Sequence, residues 1–392
     1  MISFEQALEI ILEDVRNMDT ERVPFDEALF RILAEEVFSD IDMPPFDKSA
    51  MDGYACRAQD LGMELKVIDV ISAGDNVLCH IDQGQCAKIM TGAMVPQGAD
   101  RVVMVEHTVE TRPGYIRFTG KHTSPNIAYK AEDVKTGDLI WEQGMKIMPQ
   151  HIAMFASVGW VNPLVSKKPR VGVLSTGDEL VEPNDYPVKG KIRNSNGSQL
   201  VAQVKAANCI PNYMGIIPDD EEATRKAIGQ ALKDNDVVVI SGGVSMGDFD
   251  FVPRILRQSG VDIRFQKVAI KPGRPTVFGR TEKSCIFGLP GNPVSSFINF
   301  EVMVKPLLHR MMGHNYKAME INMQMGYDWS RKKADRPEFV PVNFDATAKV
   351  LPVSYHGSAH IHAICLADGL MFIPQGVFDL KKGDNVRIRP LV

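Results

Sequence analysis

The sequence predicts a multidomain α/β protein, and three observations support this fold class. The chain has 392 residues, too long for one compact core and typical of about two to four domains. Between residues 169 and 316, strand-like apolar runs alternate with helical segments, the pattern of a parallel sheet covered by helices. Residues 45–144 and 317–392 instead show short β-type runs separated by glycine and proline. We therefore expect one α/β domain, preceded and followed by β-rich domains.

The N-terminal segment and a later segment are predicted to be helical. Ser3 and Gln6 have the spacing of a capping box at the start of a helix. A second helix is expected near residues 25–37, and "HIAMFASVG" at 151–159 also has helical character. We expect residues 1–44 and 145–168 to form one helical domain, with residues 45–144 as a β-rich domain inserted in it.

The α/β domain is expected over residues 169–316. Its predicted strands "RVGVL", "DVVVI" and "SCIFGL" each lead into a polar loop, and a long helix is expected from Pro293. From residue 317 the chain returns to short strands such as "EFVPVNF" and "DNVRIRPLV". These strands predict a small C-terminal β-barrel or sandwich.

Composition and charge exclude several classes of partner. The hydrophobic content of 44% and the charged content of 24% are ordinary for a soluble globular protein. A formal net charge of −5 gives no global basic field for nucleic acid or an anionic membrane. No signal peptide is apparent, and no apolar run reaches the roughly 20 residues of a membrane span. Six cysteines without CxxC spacing favour free thiols. We expect a cytoplasmic protein with neither a nucleic-acid nor a membrane partner.

Three loops that follow predicted strands combine glycine with hydroxyl or acidic residues. They are "STGDEL" (175–180), "SGGVSMGD" (241–248) and "GLPGNPVSS" (288–296). One such loop would be explained by the steric demands of a tight turn, but the carboxyl ends of parallel strands bring all three to one edge. Glycine-rich loops that lead into helices offer backbone N–H groups to phosphate. The candidate ligand-binding residues are Ser175, Thr176, Gly177, Ser241, Gly242, Gly243, Ser245, Pro290, Gly291 and Asn292.

Acidic residues occupy loop or helix-start positions near the same edge. They fall in three pairs: Asp178 and Glu179 after the first strand, Asp219 and Asp220 in "PDD", and Asp248 and Asp250 after the glycines of the second loop. Mg²⁺ is usually held by one or two carboxylates together with phosphate oxygens. The acids near this edge therefore predict a Mg²⁺ site. For Asp219, capping of the following helix is the favoured alternative.

Two cations flank a Pro–Gly turn in "KPGRP". Lys271 and Arg274 are close enough in the chain for both side chains to reach one small anion. Arginine suits bidentate contact with an oxyanion, and lysine supplies a point charge. The alternative interpretation is a solvated basic turn.

Two further loops and a histidine group carry weaker signals. "PPFDKSAMDGYA" exposes Asp47, Lys48, Ser49 and Asp52, and "MTGAMVPQGAD" offers Thr91, but composition alone favours structural turns. In "HGSAHIH", strand alternation would place His360 and His362 on one face, with His356 in a turn. We do not expect these histidines to form a metal site.

Together these motifs resemble the MoeA family, the molybdenum-inserting enzymes of molybdenum cofactor synthesis, which includes the E domain of gephyrin. The resemblance implies a homodimer with a helical linker domain (1–44 and 145–168), an inserted domain (45–144), a molybdopterin-binding α/β domain (169–316) and a barrel (317–392). It implies that adenylylated molybdopterin and molybdate are substrates, that AMP is released, and that Mg²⁺ is the cofactor, with Glu179 and Asp248 as candidate ligands. It also leaves room for contacts with other molybdenum cofactor enzymes. The matching stretches, in the family's order, are "PPFDKSAMDGYA", "MTGAMVPQGADRVVMVE", "NIAYKAEDVKTGDLI", "GVLSTGDEL", "IRNSNGSQL", "PDD", "SGGVSMGDFDFV", "KPGRPTVFG" and "GLPGNPVSSF".

The resemblance assigns roles to individual residues. Asp52 and Thr91 match positions that are thought to complete the partner subunit's site across the dimer. Lys271 and Arg274 match a basic pair proposed to hold molybdate. The residues that match catalytic positions are Asp52, Thr91, Glu179, Asp219, Asp248 and Asp250.

The chain departs from the family pattern at several positions. Arg274 replaces a more usual lysine and keeps its charge, whereas Ala128 and Tyr129 stand where arginines are common. Pro341 occupies the place of a second arginine that is a proposed molybdate contact, and Ser358 occupies the usual serine place. The loss at Pro341 predicts an altered anion site.

Two other functions are compatible with the sequence. The preceding step, adenylylation of molybdopterin with ATP, uses a related α/β domain, but the inserted domain and the barrel favour the insertion enzyme. A scaffold protein that has lost catalysis is the second alternative. The retained acids, together with Lys271 and Arg274, argue against it.

Overall fold

The computed structural model of the chain describes residues 1–244 and 252–391. Contacts divide the chain into two compact units. The first comprises Met1–Ala34, Gln143–Met148 and Pro163–Val392, and the second comprises Glu35–Glu142 and Pro149–Asn162. Within the part of the chain that is described, no helix is both long enough and apolar enough to cross a bilayer.

A six-stranded mixed sheet organises the first unit. Four of its strands pair in parallel, which confirms the predicted α/β architecture, but the last two in the order are joined to the sheet by antiparallel pairings. The short connection 281–284 makes a hairpin of Val277–Arg280 and Cys285–Leu289, because it leaves no room for the crossover that parallel neighbours need. The strand order is Ile210–Ile217, Arg170–Thr176, Val237–Ser241, Cys285–Leu289, Val277–Arg280 and Asp262–Phe265.

Helices cover both faces of this sheet. Val237 and Val239 pack into one hydrophobic cluster, whereas Val238 and Ile240 pack into another, as expected for a strand buried on both sides. The predicted long helix from Pro293 is confirmed, because a π-helical turn joins its two α-helical parts. The helical segments of this unit around the sheet are Phe4–Leu12, Ser195–Ala206, Glu221–Asp234, Val252–Gln258, Pro293–Asn299, Phe300–Val304 and Lys305–Met311.

The C-terminal strands close into a barrel, which confirms the predicted β-domain. Met323, Val342 and Ile388 belong to its buried core. The barrel is attached to the α/β sheet through Lys271, whose backbone N–H donates to Pro337 O at 2.9 Å. The barrel strands, in spatial order, are Ile321–Met325, Lys349–Pro352, Glu338–Phe344, Gly369–Ile373 and Asn385–Pro390.

A helix cap and four short strand pairs complete the first unit. The capping box at Ser3 and Gln6, at the start of the first helix, is confirmed, since each side chain accepts the other residue's backbone N–H at 3.0 Å. The paired short strands are Ile2–Ser3 with Val268–Ala269, Thr20–Arg22 with Leu164–Ser166, Leu180–Val181 with Ile192–Arg193, and Trp329–Ser330 with Asp379–Leu380.

The second unit contains another six-stranded mixed sheet. The expected helix near 151–159 is present as Pro149–Ser157, and its Phe155 packs edge-on against Trp141 with 5.2 Å between ring centroids. The two short pairs are Val37–Phe38 with Leu139–Trp141 and Lys48–Ser49 with Ile127–Ala128. The sheet order is Arg101–Met104, Gly53–Cys56, Gln85–Ile89, Glu64–Ile71, Tyr115–Phe118 and Thr108–Arg112.

Two predictions of local structure were wrong. Residues 25–37 form a single 3-10 turn and bridges rather than a helix, because Phe30 has a φ of +64° and its backbone N–H donates to Ile147 O. His360 and His362 do not share a strand face. His360 is the N-cap of a short helix, Ile361–Cys365.

Candidate functional site

The carboxyl ends of the parallel strands surround a cavity of about 710 Å³, called here the α/β cleft. All three predicted loops contribute to its wall, as their convergence on one sheet edge requires. Ser175 lies beneath the wall and is fully buried. The predicted residues that line the cleft are Thr176, Gly177, Glu179, Asp219, Ser241, Gly242, Gly243, Pro290, Gly291 and Asn292.

Two glycines that follow Val237–Ser241 make room for Thr176. Gly242 has a φ of +94° and Gly243 a φ of +65°, a region that other residues rarely adopt. A Cβ on Gly242 would lie 2.7 Å from the carbonyl oxygen of Thr176, and a Cβ on Gly243 would lie 2.9 Å from its Oγ1. Both positions therefore need glycine, because the backbone conformation disfavours other residues and no space is left for a Cβ atom.

Two asparagines at the start of the helix Ser195–Ala206 connect the loops. Asn194 caps the helix: its Oδ1 accepts from Gly197 N at 3.0 Å and from Ser175 Oγ at 3.1 Å. Asn196 Nδ2 donates to Ser241 Oγ and to the Gly291 carbonyl oxygen, each at 2.7 Å. All three predicted loops are thus held by one helix N-terminus.

Two buried oxygen atoms in the lining of this cleft have no hydrogen-bond partner among the described residues. They are Thr176 Oγ1 and Asn196 Oδ1, and their residues are only 7% and 9% exposed. Buried polar atoms in native proteins are nearly always hydrogen-bonded. A polar ligand in the cleft would satisfy both.

The acidic side of the α/β cleft is formed by Glu179 and Asp219. Asp219 is held by Asp178, since each backbone amide donates to the other residue's carboxylate, at 3.3 and 3.1 Å. The predicted capping role of Asp219 is wrong: the neighbouring Asp220 caps the helix and accepts an N–H at 2.7 Å. The predicted site residues Ser245, Asp248 and Asp250 lie outside the described residues.

A second cavity, of about 830 Å³, lies between the turn at Lys271 and the barrel, and is called here the cation cleft. Its lining carries six Lys or Arg side chains and two acids, a formal balance of 6 − 2 = +4. Such a surplus of positive charge favours a small anion. The charged lining residues are Lys271, Arg274, Arg331, Lys332, Lys333, Arg336, Asp335 and Glu338.

One acid in this cleft pairs with two of the cations. Glu338 Oε1 lies 2.8 Å from Lys271 Nζ, and its Oε2 lies 3.2 Å from Arg331 Nη1. The side chains of Glu338 and Arg331 are only 6% and 4% exposed, whereas that of Lys271 is 49% exposed. Burial, with a smaller contribution from Glu338, raises the pKa of Tyr355 in the same lining to about 12. The Tyr355 hydroxyl therefore keeps its proton at neutral pH.

The two cavities adjoin. Pro275, Pro290 and Asn292 line both of them. Asn292 Nδ2 donates to Ser358 Oγ at 3.0 Å, and the Ser358 carbonyl accepts from Val294 N at 3.0 Å. The structure thus brings Glu179 and Asp219 to one cavity and the predicted cations Lys271 and Arg274 to a neighbouring one that shares its wall.

In the second unit, Asp52 and Thr91 lie side by side. Both the backbone N–H and the hydroxyl of Thr91 donate to Asp52 Oδ1, each at 2.7 Å. These bonds, the backbone one first, hold the pKa of Asp52 below its usual value. The carboxylate is therefore charged at neutral pH and has one oxygen already committed.

Sequence reasoning missed several residues of the site. The asparagines Asn194 and Asn196 lie in "IRNSNGSQL", and the Asn-x-Asn pattern before a helix was their signal. The adjacent lysines Lys332 and Lys333 lie in "SRKKADRP", and only their charge marked them.

These features define an α/β protein with a candidate ligand cleft and an adjoining cavity lined by a surplus of positive charge. Three family descriptions match the chain: the MoeA N-terminal region (domain I and II) at residues 2–159, the probable molybdopterin binding domain at 172–310, and the MoeA C-terminal region (domain IV) at 328–391. The chain belongs to the MoeA family of molybdopterin molybdenumtransferases.

Several relatives match nearly end to end. A molybdopterin molybdenumtransferase of Staphylococcus epidermidis is 34% identical over 99% of this chain and 95% of its own, and one of Staphylococcus aureus is 33% identical with the same coverage. A solved MoeA structure from Pyrococcus horikoshii is 31% identical, with a TM-score of 0.86 over 100% of both chains. These similarities support a role in molybdenum cofactor biosynthesis.

Proposed function

We propose that the chain inserts molybdenum from molybdate into adenylylated molybdopterin and releases AMP. The observation that carries this proposal is the pair of adjoining cavities, one walled by glycine-rich loops and one rich in positive charge. A reaction that joins a phosphorylated organic ligand to a small oxyanion needs two such compartments side by side.

The α/β cleft suits the phosphorylated ligand. The helix Ser195–Ala206 begins at its wall, and helix N-termini favour anionic groups. Thr176 Oγ1 can donate a hydrogen bond to a phosphate or pterin oxygen, and Asn196 Oδ1 can accept one from a pterin or adenine N–H. Gly242 and Gly243 allow the ligand to approach the backbone closely.

The cation cleft suits molybdate, a tetrahedral dianion. Positive charge and hydrogen-bond donors, including the protonated Tyr355, line the same space. Arg274 is exposed and has no ion pair among the described residues, so its guanidinium is free to bind an oxyanion. Ser358 lies at the wall that this cleft shares with the α/β cleft.

The acidic side of the α/β cleft suits Mg²⁺. Glu179 and Asp219 supply carboxylate oxygens, the ligand type that Mg²⁺ prefers, and Asp248 and Asp250 are the further candidates. No group of three metal-ligating side chains is found in the described ranges, which exclude residues 245–251. Mg²⁺ commonly keeps waters and phosphate oxygens as its remaining ligands, so this donor set fits. When bound, Mg²⁺ would neutralise charge on the phosphate oxygens.

The proposed reaction follows from the positions of the two reactants in adjoining cavities. A molybdate oxygen held beside Arg274 attacks the adenylyl phosphorus, and the P–O bond to the pterin phosphate breaks. The dithiolene sulfurs next bind the molybdenum and displace that oxygen, which leaves with AMP. The chain holds the two reactants and stabilises the charge that develops on the phosphate.

We further propose that the protein acts as a homodimer with a site shared between subunits. Asp52 and Thr91 would complete the site of the partner subunit. Their mutual hydrogen bonds support a role in orienting a charged group, because Asp52 keeps one carboxylate oxygen uncommitted in the described residues.

The experiment measures AMP release from adenylylated molybdopterin with and without molybdate. We expect AMP and molybdenum-loaded pterin to appear in equal amounts and only when molybdate is present. Formation of adenylylated molybdopterin from ATP and molybdopterin, without molybdate, would instead support the adenylylation step. No turnover in either assay would support a scaffold.

A further inference from the structure

The six cationic side chains of the cation cleft divide into committed and uncommitted groups. Lys271 and Arg331 share Glu338, and Arg331 also donates to carbonyl oxygens of Pro374 (2.6 Å), Val377 (2.7 Å) and Arg336 (3.0 Å). These bonds leave little of the Arg331 guanidinium for a ligand.

Arg336 is also committed. Its Nε pairs with Asp335 at 3.2 Å and its Nη1 donates to the Ile270 carbonyl at 3.3 Å. Burial opposes the charge of Asp335, but Arg336, the backbone and Lys333 together hold the pKa of this carboxyl below its usual value. Lys333 therefore helps to stabilise Asp335 at longer range without forming an ion pair with it.

The uncommitted cations are Arg274, Lys332 and Lys333. None of them makes an ion pair or side-chain hydrogen bond within residues 1–244 and 252–391, and all three are exposed and line the cleft. The two lysines lie on the segment that precedes the barrel strand Glu338–Phe344.

Pro341 lies within that strand, at the position where the family often has an arginine. It is buried, pairs with Leu370 and does not line the cleft. Position 341 therefore supplies no charge to the cleft, whereas Lys332 and Lys333 from the preceding segment line it.

Resting on the proposed function, we propose that Lys332 and Lys333 bind molybdate in the cation cleft together with Arg274. Lys271 contributes less than its place in "KPGRP" suggests, since its ammonium group is already paired with Glu338. The lysine pair sets the affinity for the oxyanion.

The test is calorimetric titration of the full-length protein with molybdate. Lys332→Ala/Lys333→Ala should weaken binding by about 10-fold or more, the size expected for loss of two exposed charges near a dianion. Lys332→Arg/Lys333→Arg should keep the affinity within about twofold because the charge remains. If the arginine variant keeps its affinity for molybdate, the loss in the alanine variant is due to the missing charge and not to altered packing.

The matched control is the barrel's other adjacent lysine pair, Lys381 and Lys382, which does not line the cleft. Lys381→Ala/Lys382→Ala removes the same charge and should leave molybdate affinity within about twofold. An equal loss in both double-alanine variants would mean a general charge effect and would overturn the inference.

Other outcomes are also decisive. Unchanged molybdate affinity in Lys332→Ala/Lys333→Ala would overturn the inference while leaving the proposed function intact. If Lys332→Ala/Lys333→Ala lost affinity for AMP but kept its affinity for molybdate, the lysines would lie at the nucleotide phosphate, and the inference would again be wrong. If the unaltered protein bound no molybdate, the proposed function would fail first.

Discussion

Replacement of Glu338 by glutamine is predicted to have two opposite effects. Glu338 is 6% exposed at its side chain and pairs with both Arg331 and Lys271, so Glu338→Gln leaves a buried guanidinium without its counter-charge. The same change leaves Lys271 unpaired at the edge of the cation cleft. We expect the protein to lose stability and to bind molybdate more tightly.

The size of each effect follows from the geometry. Removing one partner of a buried ion pair costs about 3–5 kcal/mol. Because Arg331 keeps three carbonyl acceptors, we expect the lower end of this range. A loss of about 3 kcal/mol lowers Tm by about 6–12 °C in a unit of this size. One unpaired lysine about 6 Å from a dianion in water contributes about 1.4 kcal/mol, or tenfold in Kd, reduced to a few-fold by salt.

The assays are differential scanning calorimetry for stability and titration calorimetry for molybdate. Glu320 is the control, since it also pairs with two arginines of the barrel, Arg387 and Arg389, but is 30% exposed. Glu320→Gln should cost no more than about 1 kcal/mol and should not change molybdate binding. A Glu338→Gln protein with unaltered Tm and unaltered affinity would refute the reasoning.

Three further predictions concern the α/β cleft, the second unit and a buried histidine. Gly242→Ala should lower the free energy of unfolding by at least about 2 kcal/mol and abolish AMP binding, because Gly242 has a positive φ and a Cβ there would meet Thr176. The control Gly229→Ala, at an open position in a helix, should raise the free energy of unfolding by about 0.5–1 kcal/mol. Equal thermal shifts for the two variants would contradict the prediction. Thr91→Val removes a hydrogen bond to Asp52 and should raise the pKa of that carboxyl, which carboxyl ¹³C NMR measures. Any stability that the charged carboxylate contributes is present above its unfolded pKa and is lost as pH falls through its lowered folded pKa. An unchanged pKa would show that the hydrogen bond from the Thr91 hydroxyl is unimportant. Burial, followed by His314 and nearby lysines, lowers the pKa of His309 to about 3. Between about pH 3 and about pH 6.5 only the unfolded chain protonates this imidazole, so the free energy of unfolding should fall by about 1.4 kcal/mol per pH unit on acidification. Urea unfolding of His309→Gln should show a flatter dependence of stability on pH, and an unchanged slope would contradict this prediction.

Local chemistry made much of the fold predictable from sequence. Ser3 and Gln6 specify a helix start by themselves, and the unbroken apolar run Val237–Ser241 specifies a doubly covered strand. Because parallel strands end at one edge, the sequence predicts that the loops at Thr176 and Gly242 share a common cleft.

Other features depended on contacts that no local pattern reveals. Phe30 follows a helical apolar pattern, yet it bonds to Ile147, a residue far along the chain, and takes a left-handed conformation. Asp52 and Thr91 are separated by 39 positions and meet only in the folded unit. Lys332 and Lys333 reach the cleft because the barrel is docked on Lys271, which sequence periodicity does not encode.

Crystals grown with AMP and molybdate, measured at the molybdenum absorption edge, test most directly whether two adjoining cavities hold the two reactants. We expect one anomalous peak in the cation cleft beside Arg274 and Lys332, and the AMP phosphate in the α/β cleft near Thr176. Molybdenum bound among the glycine loops, or AMP bound among the lysines, would contradict the account.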